Sequence, residues 1–465
     1  MSGSLGHRCR LFGPPRRSTR GVTAHDLRVT GTIPSALDGR YLRNGPNPFT
    51  PPDPSAYYWF LGDGMVHGIR LRDGKAEWYR NRWVRSTAIS EALGETPVPG
   101  RRNAGMEAVN TNVIGLAGRT FAIVEAGANP VELTDELDSI RFSDFDGTLP
   151  NGFTAHPTRH PGTGRLHAAN YCWTRPNLIE YVTVGPDGRV ERAIDIEVPG
   201  NPMVHDCSIT EHHFVLYDLP VTFDVDALMA GATFPYAWND TYGARVGVMP
   251  LDGAADEVRW FEVEPCYVFH PLNAYEDGTE VVLDVVRHPK MFDRNRLGPD
   301  EGASTLWQWR LDTATGTTTE RQLDDRAVEF PRVDERMVGR RHRGRPGRRR
   351  RLRTGPHHRR GGVRSACRRF ARGRRLVSHP RPRRGDRSQR AVHPGRTGPR
   401  RRAGRHGAPA GTRTRRLPRQ LDPQHLRAVT KAGDLSDLEH LEDLVAIVVD
   451  DLHRDLAGAR NREGS

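Results

Sequence analysis

Residues 28–330 consist of short apolar segments separated by turns, and this pattern limits the possible fold more than any other feature of the chain. Turn-forming pairs such as Asp73-Gly74 and Asp187-Gly188 separate the segments, as expected between β-strands. Amphipathic helical stretches are scarce, and residues 224–230 form a short one. The segments predicted as strands include residues 57–60, 120–125, 165–171, 177–183, 213–219, 281–286 and 305–311.

Many strands without intervening helices predict an all-β sandwich, barrel or propeller. A single domain of this length favours the propeller, because its blades repeat around an axis and can be added to a large size. The sequence contains no WD or kelch repeat, so the pattern alone leaves the three architectures open.

The segment 341–420 has a different composition from everything before it. It contains 30 Arg, no Lys, one acidic residue (Asp386) and one aromatic residue (Phe370). Thirty arginines against one aspartate give the segment a charge of +29, and since the whole chain carries +13, the remaining residues carry −16. Such a segment cannot bury enough apolar surface to offset its ordering entropy, so we expect it to be disordered.

These differences divide the chain into four parts. We expect a flexible N-terminus over residues 1–24, an incomplete β-propeller over 25–340, an Arg-rich low-complexity part over 341–430, and a candidate amphipathic helix and tail over 431–465. The apolar residues at helical spacing in the last part are Leu438, Leu441, Leu444, Val448 and Leu452.

Several features favour a cytoplasmic protein. No apolar run is long enough to span a bilayer, and the basic N-terminus lacks the apolar stretch of a secretory signal. The five cysteines are odd in number and widely spaced, which fits free, mostly buried thiols in a reducing compartment. The oligomeric state is left open.

Three histidines stand in or beside strand-like segments at wide spacing. His205 follows His156 by 49 residues, and His270 follows His205 by 65. One histidine per blade, pointing at the propeller axis, would produce such spacing, and converging imidazoles suit iron, copper, nickel or zinc. Glu125 and Glu329 also lie in apolar segments, where a carboxylate could accept the outer N–H of an imidazole and fix its tautomer.

Other interpretations of these residues and of the tail remain open at this point. A single histidine in a strand is more often structural than a ligand, and a single glutamate more often lies on a solvated face. A zinc- or calcium-dependent propeller hydrolase would use acidic or mixed ligands rather than a set of histidines. The Arg-rich tail would bind nucleic acid nonspecifically through counterion release, but it lacks interleaved aromatic residues, so specific nucleic-acid binding is not expected.

The sequence resembles the carotenoid cleavage oxygenases, a family that includes stilbene-cleaving dioxygenases. The resemblance covers about residues 25–342 in consistent order. The motifs that carry it, together with the segments around the three histidines, are Leu37-Asp-Gly-Arg-Tyr-Leu-Arg-Asn-Gly-Pro-Asn-Pro48, Phe60-Leu-Gly-Asp-Gly-Met-Val-His-Gly68, Asn110-Thr-Asn112 and Glu329-Phe-Pro-Arg-Val-Asp334.

The resemblance implies a seven-bladed β-propeller with a non-haem Fe(II) held by four histidines. His156, His205 and His270 match the first three ligand motifs, and Glu125 and Glu329 match two of the carboxylates behind them. The implied reaction is O2-dependent cleavage of a conjugated C=C bond of a carotenoid or apocarotenoid to carbonyl products, with an apolar polyene as substrate. Peripheral membrane contact is implied as well, although the sequence shows no clear amphipathic anchor.

The choice between substrates depends on one position. In stilbene-cleaving relatives a lysine that reads a phenolic hydroxyl precedes the residue that matches Glu125, and this chain has Val124 there. Val124 favours a carotenoid or apocarotenoid, with a stilbene as the alternative substrate and a simple packing role as the alternative explanation of the valine.

The fourth histidine motif of the family, which is similar to Gly-Phe-His-Gly-Asn-Trp, is missing from the chain. No histidine of the tail has a matching context, so no fourth ligand is identified. One permitted set of codons for residues 416–424 (CGG CTT CCA CGG CAA CTG GAT CCC CAA) reads Gly-Phe-His-Gly-Asn-Trp-Ile-Pro when translation starts one base later. We therefore hypothesise a single-base shift near residues 341–346, after which the chain is translated out of frame and lacks its fourth ligand and last blades. On this hypothesis we expect weak iron binding and little activity.

Overall fold

The computed structural model describes residues 21–50, 58–103, 107–296 and 301–341. Within them, five antiparallel sheets follow one another along the chain and contain nearly all the regular structure. The predictions for the Arg-rich part and the C-terminal helix fall outside the described residues, apart from Arg341, and so does the predicted flexible N-terminus up to residue 20.

The first two sheets occupy the N-terminal third of the described chain. Sheet 1 has the order β1-β5-β4-β2, with β3 also paired to β4, and sheet 2 has the sequential order β6-β7-β8-β9. The strands of sheet 1 are β1 (Thr23–His25), β2 (Gly39–Arg43), β3 (Pro46–Asn47), β4 (Asp63–Arg72) and β5 (Lys75–Trp83). The strands of sheet 2 are β6 (Asn112–Leu116), β7 (Arg119–Ile123), β8 (Val131–Leu133) and β9 (Ser139–Phe142).

The next three sheets each have four strands that pair in chain order, apart from a two-stranded ribbon inserted into sheet 4. Sheet 3 contains β10 (Thr158–Arg159), β11 (Leu166–Tyr171), β12 (Leu178–Val184) and β13 (Val190–Glu197). Sheet 4 contains β14 (Cys207–Ile209), β15 (His213–Asp218), β18 (Arg245–Pro250) and β19 (Arg259–Glu262), and its ribbon contains β16 (Val221–Phe223) and β17 (Tyr236–Trp238). Sheet 5 contains β20 (Pro271–Asp277), β21 (Glu280–Arg287), β22 (Thr305–Asp312) and β23 (Thr318–Asp324).

Two short α-helices connect strands, and each begins at a side-chain cap. In α1 (Thr87–Ala92) the Ser86 hydroxyl accepts a hydrogen bond from the Ile89 amide, and in α2 (Val225–Met229) the Asp224 carboxylate accepts one from the Ala227 amide. Single 3₁₀ turns occur at Trp59–Leu61, Ala255–Glu257 and Glu335–Met337. Within the described residues, neither helix has the length or the continuous apolar character needed to cross a bilayer.

Burial changes systematically across a sheet. In sheet 3 the middle strands β11 and β12 are buried on both faces, whereas the last strand, β13, alternates between exposed and less exposed positions. The first strands of successive sheets contact one another, as β10 does with β14 and β14 with β20. Sheets that stack face to face and meet at their first strands are arranged as propeller blades, so the expected all-β, propeller-type fold is confirmed.

The described residues supply five blade-like sheets, two fewer than a seven-bladed propeller contains, so the ring of described sheets is not closed. Six of the seven segments predicted as strands coincide with strands, and the predicted helix at residues 224–230 is confirmed as α2. The prediction of a strand at residues 57–60 is wrong, because Trp59–Leu61 forms a 3₁₀ turn. Aromatic residues are common in strands, but here the rings of Tyr58 and Phe60 lie 4.7 Å apart where the turn begins.

Candidate metal centre

Each of the three predicted histidines lies directly before the first strand of a sheet. His156 precedes β10, His205 precedes β14 and His270 precedes β20, with at most one residue between histidine and strand. Pro157 and Pro271 follow two of them, and a proline restricts the preceding residue to extended backbone. Equivalent positions in three neighbouring blades therefore bring three imidazoles to one place.

Backbone hydrogen bonds hold each histidine segment against a neighbouring part of the chain. The Phe153 amide donates to the Ala128 carbonyl, and the Met203 amide donates to the Val221 carbonyl, each at 2.8 Å. Tyr267 and His288 exchange two backbone bonds of 2.9 and 2.8 Å. The positions of the three imidazoles thus depend on the scaffold rather than on one another.

The three imidazoles form a compact group. One ligand nitrogen from each of His156, His205 and His270 lies within 4.8 Å of the others, and no second group of this kind occurs among the described residues. The Nε2 atoms of His205 and His270 are 3.2 Å apart. Their ring centroids are separated by 4.9 Å, and the centroid of His156 lies 4.5 Å from that of His205 and 5.1 Å from that of His270.

Carboxylates occupy the outer side of two of these rings. His205 Nδ1 donates to Glu125 Oε2 and His270 Nδ1 donates to Glu329 Oε2, each at 2.8 Å. The other oxygen of Glu329 accepts a 2.7 Å hydrogen bond from Nε2 of His288. No carboxylate of the described residues hydrogen-bonds the ring of His156.

Burial and charge set the protonation of the group. Burial, helped by the neighbouring His205, His270 and Arg332, holds the pKa of His156 well below its usual value. Burial also lowers the pKa of His270, and Glu329 opposes this only in part. For His205 burial acts in the same direction, but the Glu125 carboxylate outweighs it and raises the pKa. Hydrogen bonds from His270 and His288 hold the pKa of Glu329 below its usual value despite burial, so this group is an anionic acceptor.

This pattern of donors and acceptors leaves room for a cation. Because the Nδ1–H groups of His205 and His270 point to carboxylates, their facing Nε2 atoms both carry lone pairs in the neutral rings. The buried Nε2 of His156 has no hydrogen-bond partner among the described residues. Three ring nitrogens within 4.8 Å of one another, two of them on rings oriented by carboxylates, fit a divalent transition metal, which binds neutral imidazoles.

The sequence located these residues better than it located their backbone environments. Glu125 lies two residues after the end of β7, and Glu329 lies in the loop after β23, so the expectation that both stand in strands was wrong. His288 was missed, although it shares with His156 and His270 the position directly before a proline. The segment 416–424, which carries the frame-shifted match to the fourth ligand motif, lies outside the described residues.

Comparisons with known proteins agree with this architecture. A family model described as retinal pigment epithelial membrane protein matches residues 13–344. A carotenoid cleavage oxygenase of Mycobacterium tuberculosis is 50% identical over 369 residues, which cover 69% of this chain and 74% of the relative. A carotenoid 9,10(9',10')-cleavage dioxygenase of Crocus sativus is 32% identical and covers 68% of this chain and 64% of its own length. The crystal structure of a lignostilbene dioxygenase of Pseudomonas brassicacearum superposes with a TM-score of 0.62 at 28% identity, covering 71% of this chain and 73% of that structure.

The fold and the site together define a propeller-type protein whose successive blades present histidines to one candidate metal centre. The family match over most of the chain and the half-identical relative make the identity more specific. The chain belongs to the carotenoid cleavage oxygenase family.

Proposed function

We propose that the fold serves Fe(II)-dependent cleavage of a conjugated C=C bond in a carotenoid or apocarotenoid. The observation that carries the proposal is the convergence of one ring nitrogen from each of three histidines within 4.8 Å, with carboxylates behind two of the rings. The relatives named as carotenoid cleavage enzymes support the substrate class.

In this proposal His156, His205 and His270 hold the metal, and Glu125 and Glu329 orient two of the rings. Ferrous iron bound there would supply the redox chemistry that joins both atoms of O2 to the two carbons of the double bond, which gives two carbonyl products. Neutral imidazoles suit the ferrous state because they leave the positive charge of the ion uncompensated. The Nδ1–H bonds to the carboxylates keep each Nε2 lone pair directed inward and raise its basicity.

A related substrate class is also compatible with the site. The similarity to a lignostilbene dioxygenase structure supports a stilbene as the second candidate substrate. Val124, which precedes Glu125, is buried in the apolar cluster that joins sheets 1 and 2 and offers no polar group to a phenolic hydroxyl. This position therefore favours the carotenoid over the hydroxystilbene.

The test compares the chain as it stands with a chain whose reading frame is restored after residue 341. Each protein is loaded with Fe(II) in the presence of O2 and given a carotene, an apocarotenal and a hydroxystilbene, and carbonyl products are measured by mass spectrometry. We expect the restored chain to cleave the carotenoid substrates. His205→Ala in the restored chain should abolish cleavage, whereas the control His25→Ala, on the exposed strand β1, should not affect it. Cleavage that survives His205→Ala would contradict the proposal.

A further inference from the structure

Glu329 lies between two imidazoles, and only one of them belongs to the candidate metal centre. Oε2 of Glu329 accepts a 2.8 Å hydrogen bond from Nδ1 of His270, and Oε1 accepts a 2.7 Å hydrogen bond from Nε2 of His288. Because an ionised carboxylate only accepts hydrogen bonds, Nε2 of His288 carries a proton and is not a metal ligand in this arrangement. His288 is thus a second donor to the carboxylate that orients His270.

The position of His288 is fixed through its backbone and through its ring. The residue follows β21 directly and exchanges backbone hydrogen bonds of 2.9 and 2.8 Å with Tyr267. Its ring meets Phe269 edge to face at a centroid distance of 5.3 Å, and the residue is only 5% exposed. A buried ring held in this way presents its Nε2–H group at a defined point beside sheet 5.

The backbone contacts around Glu329 do not fix the direction of its carboxylate. The preceding residue, Val328, is held by Ser304, whose carbonyl accepts from the Val328 amide at 3.0 Å and whose hydroxyl donates to the Val328 carbonyl at 2.6 Å. The following residue, Phe330, has a positive φ of 56° and is 52% exposed. The direction of the carboxylate therefore depends on the hydrogen bonds that its two oxygens accept.

We propose that His288 is a positioning residue for the metal centre. It holds Oε1 of Glu329 so that Oε2 stays on Nδ1 of His270, and His270 then keeps its Nε2 lone pair directed toward the metal. This inference rests on the proposed function, because it assigns a further residue to the same site. His288 contacts neither the metal nor the substrate and acts through Glu329.

The loss of this hydrogen bond has a defined consequence for His270. Without the Nε2–H of His288, Oε1 of Glu329 loses its imidazole donor, and the carboxylate gains by turning toward water on the exposed side of Phe330. That rotation withdraws Oε2 from His270. The His270 ring is then free to adopt the tautomer whose Nε2 carries a proton, and this tautomer does not bind a metal through Nε2.

The test measures binding of Co(II) alone to the full chain, by competition with a chelator. His288→Phe keeps a ring against Phe269 but removes the N–H, whereas His288→Gln keeps an N–H donor at a similar reach. We expect His288→Phe to weaken Co(II) binding about tenfold, and His288→Gln to restore most of the affinity. If the larger ring is not accommodated, His288→Leu provides the same contrast with the Gln variant.

His167→Phe is the matched control. His167 is also buried, and its Nδ1 forms a 2.8 Å hydrogen bond with the hydroxyl of Tyr181, but it lies within β11 and has no part in the group of three histidines. The substitution should leave Co(II) affinity unchanged even where it lowers the urea unfolding midpoint, which is recorded for every variant.

Two further measurements separate a positioning role from a merely structural one. In a double-mutant cycle, His288→Phe should cause little further loss in the Glu329→Gln background, because the carboxylate through which His288 acts has been replaced. Ring ¹⁵N NMR of the metal-free, histidine-labelled chain reports the tautomer of His270. We expect the Nδ1–H form in the unmodified chain and in His288→Gln, and a mixture of tautomers in His288→Phe.

The outcomes distinguish this inference from the proposed function. Unchanged Co(II) affinity in His288→Phe would overturn the inference, and so would losses that add in the cycle or an equal loss in His167→Phe. If the unmodified chain binds no Co(II), the proposed metal function is wrong for this chain. The tautomer of His270 then decides alone whether His288 positions it, and an unchanged tautomer in His288→Phe would show that it does not.

Discussion

Glu125 and Glu329 differ in how many imidazoles each one orients. Glu125 accepts one ring hydrogen bond, from His205, while Glu329 accepts one on each oxygen, from His270 and His288. A glutamine can replace a carboxylate that serves a single donor, because its carbonyl oxygen can turn toward that donor. It cannot serve two donors, because its second polar atom is an NH₂ group. The two glutamates should therefore differ in their sensitivity to the same substitution.

Glu329→Gln is expected to weaken divalent metal binding about 10- to 100-fold. One of the two imidazoles loses its acceptor, and His270 can then adopt the tautomer whose Nε2 carries a proton and cannot bind a metal. Glu125→Gln should have a smaller effect. Metal affinity is measured by competition between the protein and a chelator, with Co(II) and with anaerobic Fe(II).

Glu320→Gln is the control for this pair. Glu320 is also partly buried and pairs with Arg287, but it belongs to β23. Equal losses of metal affinity in the Glu125 and Glu329 variants, or a loss in the Glu320 variant, would show that the number of ring hydrogen bonds is not what matters.

Glu276 is expected to contribute to the stability of the fold rather than to metal binding. It accepts hydrogen bonds from the Thr210 hydroxyl, the His212 amide and the imidazoles of His212 and His213, which hold its pKa at about 2 although burial opposes this. A depressed carboxyl pKa stabilises the fold above the usual pKa of 4.5, and the contribution is lost as pH falls toward 2. Glu276 in turn raises the pKa of His212, and that part is lost as pH rises above about 6.5.

Glu276→Gln should therefore destabilise the chain most between about pH 4.5 and 6.5, by about 1–2 kcal/mol after allowance for solvent screening. The difference from the unmodified chain should shrink steeply in acid and slightly above neutral pH. Urea unfolding at pH 3, 5.5 and 8 measures it. A difference that stays constant over this range would mean that the charge of Glu276 does not stabilise the fold.

At the scale of elements, the sequence could predict those strands that depend on a local pattern of residues. Strands such as β12 and β21 were found because β-branched and apolar residues fill a strand that is buried on both faces. Residues 57–60 are all aromatic, which also favours a strand, but Trp59–Leu61 forms a 3₁₀ turn. Glu329 was identified by its motif, but the loop around it was not predicted. The chain bends at Phe330, which has a positive φ of 56°, and no turn-forming residue there indicates the bend. The contact between the three histidines depends on how three blades are arranged, so the sequence of a single element cannot predict it.

The side chain of Asn273 connects the segment after Glu329 to sheet 5 through three hydrogen bonds. The Asn273 amide, on buried β20, donates to the carbonyls of Met337 and Arg340, and its oxygen accepts from the Gly339 amide. Gly339 pairs in turn with Thr210 beside sheet 4. Asn273 thus joins the last described segment to two blades.

Asn273→Ala should cost about 1–3 kcal/mol, because three backbone groups lose their partner. It should also speed tryptic cleavage after Arg336 and Arg340, which we would measure by mass spectrometry of timed digests. Asn201→Ala is the control, since the Asn201 side chain accepts a single bond, from the Asn177 amide, and makes no contact with the described segment. Unchanged cleavage in the Asn273 variant would show that other contacts hold the segment.

At the scale of the whole molecule, the charge and the fold both separate residues 1–340 from the Arg-rich segment that follows. Residues 1–340 carry a net charge of −11 and contain the five blade-like sheets, and an Arg-rich segment at +29 follows them. Phe330 packs on His270 with a centroid distance of 4.7 Å and is still 52% exposed, so the candidate centre is open on this side. The match to the Mycobacterium tuberculosis relative covers 74% of that protein. That the last blades and the fourth ligand are encoded in another reading frame stays a prediction.

Restoring the frame after residue 341 should convert a weak metal binder into one that holds about one iron per chain. A fourth imidazole would complete the ligand set, and the added blades would cover the open side of the centre, so the unfolding midpoint should rise with metal occupancy. Iron content by elemental analysis, together with urea unfolding of both chains, measures the change. The matched control restores the frame but replaces the histidine in the recovered Gly-Phe-His-Gly-Asn-Trp segment with alanine, which should recover stability without full iron binding. Stoichiometric iron in the unrestored chain, or a gene whose uninterrupted frame yields peptides from residues 345–425 in cells, would show that the Arg-rich segment is authentic and that the hypothesis is wrong.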